Sequence, residues 1–102
     1  MVFPGDVRYF SRITSSGVIG DSGKPIVIGG YVTEGDGTSV GSPFFLNGSA
    51  GTAAIAFRGD NSQTVANGFR NNPTPNVMLD KGCYVSFDAH TAAVTVFYTE
   101  AA

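Results

Sequence analysis

Residues 83–98 read CYVSFDAHTAAVTVFY: two short apolar runs joined by Asp88-Ala-His-Thr91. Cys83, Val85 and Phe87 fall on every second position of the first run, and Val94, Val96 and Tyr98 on every second position of the other. Successive strand residues point to opposite faces, so a period of two marks a strand with one buried side. No stretch of the chain carries the competing helical pattern, with apolar residues at i, i+3, i+4 and i+7, for three turns without Gly or Pro interrupting it.

Working outward, the same texture recurs. Val7–Thr14 (VRYFSRIT) puts Val7, Tyr9 and Ile13 on one face and Arg8, Phe10 and Arg12 on the other. Pro25–Thr33 (PIVIGGYVT) is apolar on both faces, as a central or doubly covered strand would be. Pro43–Asn47 (PFFLN) is short, and Thr52–Arg58 (TAAIAFR) places Ala53, Ile55 and Phe57 together; Gln63–Ala66 and Val77–Leu79 are weaker strands. Between the runs lie Asp21-Ser-Gly23, Glu34-Gly-Asp-Gly37, Asn47-Gly48, Arg58-Gly-Asp-Asn61, Asn71-Asn-Pro-Thr-Pro75 and Asp80-Lys-Gly82, all turn chemistry. Asn47-Gly48 is the best hairpin signal, although the second run starts late for a two-residue loop. The expectation is an all-β fold: a small β-sandwich or jelly-roll-like domain of seven or eight short strands. Residues 1–6 read as an N-terminal arm and residues 7–102 as one domain.

A chain of 102 residues has room for one modest core. Hydrophobic residues at 42% argue against disorder, but charged residues reach only 14%, against roughly 25% in ordinary soluble domains. Such a surface is either covered by a partner or kept wet by neutral Ser, Thr, Asn and Gly. With a net charge of −2, the basic residues Arg8, Arg12, Lys24, Arg58, Arg70 and Lys81 are scattered, which speaks against nucleic acid. Gly37–Phe57 carries no charge, yet its Gly, Ser, Thr, Pro43 and Asn47 make it too polar for a bilayer helix, so no membrane partner is expected. The first residues also lack the basic head and apolar run of a signal peptide.

The parts for catalysis are few. His90 sits in a turn, and Cys83 falls in phase with buried neighbours, so it reads as a small inert hydrophobe. One Cys and one His exclude a structural zinc site within one chain. Calcium would have to use Glu34-Gly-Asp-Gly-Thr38 or Gly59-Asp-Asn-Ser62, neither of which matches a calcium loop with a known signature. Arg58-Gly59-Asp60 is an integrin-type tripeptide by spelling only. The expectation is no enzyme, no metal and no cofactor.

The aromatic residues point elsewhere. Tyr9-Phe10, Phe44-Phe45 and Phe97-Tyr98 are adjacent pairs, and neighbouring strand residues cannot both enter one core. Phasing puts Phe44 inward with Leu46 and Tyr98 inward with Val94 and Val96. That leaves Phe10, Phe45 and Phe97 outside, with Tyr84 beside Phe97 if the last two strands form a hairpin. Clustered outer aromatics mark an interface, unless loops of the same domain cover them. A carbohydrate-binding module is the alternative, using Tyr31, Tyr84 and the Asn71-Asn72 loop.

Gly23-Lys-Pro-Ile-Val-Ile-Gly-Gly-Tyr31, Phe44-Phe-Leu-Asn-Gly48, Ala54-Ile-Ala-Phe57 and Asn76–Phe87, closing with Ala93-Val-Thr-Val-Phe-Tyr98, resemble small virion proteins of tailed bacteriophages. The shared pattern is V-x-L-x-x-G-x-Y-V over Val77–Val85, then V-T-V-x-Y over Val94–Tyr98. The likeness covers residues 23–98. It implies a capsid decoration (cement) protein in the virion, self-associating as a trimer and contacting the major capsid protein or other virion proteins, with no enzymatic role. A receptor-binding role on a tail fibre stays open. Such a protein also needs a segment gripping the shell, and the apolar Val2, Phe3 and Pro4 have that character. The expected interface residues are therefore Val2, Phe3, Pro4, Phe10, Phe45, Tyr84 and Phe97.

Overall fold

The computed structural model describes residues 9–60 and 69–100. They form eight strands: β1 (Tyr9–Ile13), β2 (Gly17–Ile19), β3 (Ile26–Gly35), β4 (Phe44–Asn47), β5 (Ala54–Arg58), β6 (Phe69–Leu79), β7 (Cys83–Ser86) and β8 (Thr91–Glu100). There is no helix among the described residues. β1 pairs with β8, β2 with β7, β3 with β6 and β4 with β5, all antiparallel. The chain is thus one long hairpin whose tip is the β4–β5 turn beginning at Asn47-Gly48. Rolling that hairpin up adds the β3–β8 and β4–β7 pairings, which close two four-stranded sheets of order β1-β8-β3-β6 and β2-β7-β4-β5. This is the strand order of an eight-stranded jelly roll.

The core lies between the inner faces. Ile26, Ile28, Tyr31, Val94, Val96 and Tyr98 come from the first sheet, and Ile19, Phe45, Cys83 and Val85 from the second. Pro25–Thr33 is apolar on both faces because β3 is central, with neighbours on both sides. Each large side chain removed from water contributes about 1.5–3 kcal/mol, which is how so short a chain holds two sheets together.

Several expectations need correcting. Phe45, not Phe44, enters the core: it is fully buried, 4.5 Å from the Phe57 ring and 4.8 Å from that of Tyr31. Leu46 misleads the phasing because it is buried on the outer face, across from Tyr84, where the connection through Gly51 folds back over the Tyr84 ring. A bulge at Ala56 separates Ile55 from Phe57, so Phe57 packs inward opposite Phe45 while Ile55 stands 61% exposed outside. The last two strands do not form a hairpin, since β7 and β8 lie in different sheets and Tyr84 is far in the topology from Phe97. Asn71–Pro75 is not a turn but part of β6. Its prolines are tolerated because β6 is an edge strand, where a missing N–H need not break a ladder. The three-residue β2 had no alternation to reveal it. The arm of residues 1–6 and the Gln63–Ala66 strand lie outside the described residues.

Candidate functional site

The outer face of the β1-β8-β3-β6 sheet carries a set of unburied apolar side chains that share one surface. Strand parity builds it: with Tyr98, Val96 and Val94 turned inward, Phe97, Thr95 and Thr99 turn outward. Phe10 lies directly across from Phe97 in the β1–β8 ladder. One row further, Val27 of β3 lies between Thr99 and Met78, and on the other side Val32 neighbours Thr95 and, through it, Arg12. Phe10 is 71% exposed and Met78 55%, whereas Phe97, Val27 and Val32 are half-buried by their neighbours.

The two charges that the described residues place on this face neutralise each other. Arg12 Nε donates to Glu34 Oε2 at 2.8 Å and Nη2 to Oε1 at 3.0 Å, a bidentate fork. That hydrogen bond holds the Glu34 carboxyl below its ordinary range. No other charged side chain among the described residues is placed on this face by the ladder register.

Of the expected interface residues, the structure brings together Phe10 and Phe97. Phe45 belongs to the core. Tyr84 is half-buried on the opposite sheet, its ring about 3.5 Å from where a Gly51 side chain would begin. Val2, Phe3 and Pro4 lie outside the described residues. Sequence reasoning missed Val27, Val32 and Met78. The signal was present in the two-faced apolarity of Pro25–Thr33, since a central strand whose outer residues are Val has no solvent-facing polar side.

Tyr31, one of the aromatic platforms of the sugar-binding alternative, faces the core. Tyr31 is buried, and its hydroxyl accepts the Asp60 N–H at 2.9 Å. Thr33 Oγ1 donates to the Asp60 carbonyl at 2.8 Å, and Asn72 Nδ2 adds a bond of 3.3 Å, so these buried polar groups clamp backbone rather than ligand. Ser42 and Pro43 hold Gly59 in the same way.

A second polar cluster ties two loops together at one end of the sandwich. Asp36 Oδ1 accepts the Thr38 N–H at 2.9 Å and hydroxyl at 2.8 Å, while Oδ2 meets His90 Nδ1 at 3.0 Å. The Thr38 bonds hold the Asp36 carboxyl down at about 2. Asp88 accepts from the His90 N–H and from the Thr91 hydroxyl, and Gly41 packs so closely on Asp88 that a side chain there would overlap it. The carboxylates of the Glu34–Thr38 loop are therefore engaged with Arg12, Thr38 and His90. Among the described residues no three His, Cys, Asp or Glu side chains gather where an ion could sit. Cys83 is fully buried, and desolvation pushes its thiol up to about 12, far from the reactive range.

Comparison with protein-family models, with curated proteins and with solved structures found no match. What defines its class is therefore the fold itself, a small jelly-roll β-sandwich whose outer sheet face, among the described residues, is apolar apart from the Arg12–Glu34 pair.

Proposed function

We propose that the protein is a non-enzymatic structural module that assembles with copies of itself through the outer face of the β1-β8-β3-β6 sheet. The observation that carries this reading is Phe10, 71% exposed and opposite Phe97 in an apolar row beside the paired Arg12 and Glu34. Apolar clusters on an otherwise wet surface mark interaction sites, and aromatic side chains dominate interface energetics. The low charge of the whole chain supports it, because a surface that is partly covered in use needs fewer solubilising groups.

Within that class, the resemblance of residues 23–98 to small virion proteins favours a capsid decoration protein that contacts the major capsid protein or its neighbours. The jelly roll is a common architecture of capsid and lectin domains, which is an analogy of fold and not of site. Immunogold labelling of purified virions from the source that encodes the chain tests the assignment. A regular array of label over the heads is the expected result, lost with Phe10→Ser although that variant keeps its melting temperature. Particles that carry no label would overturn the virion reading.

A further inference from the structure

The four sheet edges are not equally protected. An edge strand offers unpaired N–H and C=O groups to any passing strand, and proteins usually blunt it with proline, a bulge or shortness. β6 carries Pro73 and Pro75, β5 is kinked by the bulge at Ala56, and β2 is three residues long. β1 has none of these devices: Tyr9–Ile13 pairs regularly with β8 on one side, and among the described residues it has no strand on the other. Its one charge, Arg12, is already neutralised by Glu34.

From this we infer that the free edge of β1 pairs antiparallel with β1 of a second copy, centred on Ser11, joining the two β1-β8-β3-β6 sheets into one continuous sheet across a two-fold axis. The inference rests on the self-association reading and adds to it a contact at the sheet edge, beside the outer face. The register follows from the side chains. Centring on Ser11 sets Phe10 opposite Arg12 of the other copy, twice, on the outer face. Tyr9 then meets Ile13 of the other copy on the inner side. A guanidinium held flat by Glu34 is suited to stack on a facing Phe ring, so the two pairs are complementary rather than merely compatible. A register one residue off would turn every side chain to the wrong face. The seam is short and therefore weak in isolation, as suits contacts repeated many times in an assembly.

The test uses the full chain with Ser11→Cys. Directly opposed residues of an antiparallel pair have Cβ atoms about 4.5–5.5 Å apart, close enough for a disulfide with slight adjustment. Cys83 is fully buried and does not compete. Mild oxidation should give a covalent pair on a non-reducing gel, whereas Thr95→Cys, on the outer face and away from the edge, should not. A charge pair at position 10 checks the register independently of any folding defect in the cysteine variant. In sedimentation, Phe10→Arg, facing Arg12 of the other copy, should weaken association at least tenfold, and Phe10→Glu should weaken it less. If both charge variants weaken association equally and Ser11→Cys does not cross-link, the β1 seam is wrong while assembly through the outer face survives. If neither variant changes anything, both readings fall.

Discussion

Truncating Phe45 to Ala removes the ring at the centre of the core. It is fully buried, stacked on Phe57 at 4.5 Å with planes 9° apart, and tilted against Tyr31 at 4.8 Å. Phe→Ala changes at such positions cost about 3–5 kcal/mol, through lost burial and the cavity left behind. Two aromatic partners place this one toward the upper end. Against a total stability of about 5–15 kcal/mol, the loss is a large fraction. At roughly 4–8 °C per kcal/mol, melting should fall by on the order of 15–40 °C. Phe44→Ala is the control. Phe44 is half-buried on the other face with Arg58 5.1 Å from its ring centre, an interaction worth about 0.5–1 kcal/mol. Thermal unfolding followed by circular dichroism reads both. A Phe44→Ala loss equal to or larger than that of Phe45→Ala would refute the assignment of the two faces and, with it, the outer surface derived above.

Three further outcomes follow from local geometry. Gly48→Ala should destabilise the fold by about 1–3 kcal/mol in denaturant titration, because its Cβ would fall 2.5 Å from that of Ala53, inside any allowed contact at the hairpin tip. Asp36→Asn should lower stability at neutral pH, and the gap to wild type should close as pH falls from about 4 to about 2; a carboxyl held at about 2, below its ordinary 3.8, stabilises the fold only while ionised, so a gap that persists at pH 2 contradicts its role in joining the two loops. Cys83 should react with a thiol reagent at pH 8 only on unfolding, its thiol lying near 12 in the folded state, and rapid labelling of the native protein would contradict the packing of β7.

The fold was legible because alternation and turn chemistry are local signals. The spacing of Val94, Val96 and Tyr98, the phase of Cys83 with Val85, and Asn47-Gly48 at the hairpin tip all read through directly. What could not be read was anything decided by a partner distant in sequence. Leu46 owes its burial to the outer face, Phe57 reaches the core only through the bulge at Ala56, and Asn71–Pro75 is strand because β3 lies beside it. Of the site, Phe10 and Phe97 were visible as members of adjacent aromatic pairs. Their neighbours Val27 and Met78 were not, because they converge only when β3 and β6 pair.

Sedimentation equilibrium of the full chain decides whether the protein self-associates through the exposed, apolar outer face of the β1-β8-β3-β6 sheet. Over a concentration series reaching about 1 mM, where interactions of only about −4 kcal/mol become visible, wild type should associate reversibly. Phe10→Thr should need roughly tenfold higher concentration to do so, with its thermal unfolding unchanged. Wild type that stays monomeric throughout, or a Phe10→Thr variant that associates as wild type does, would contradict assembly through this face.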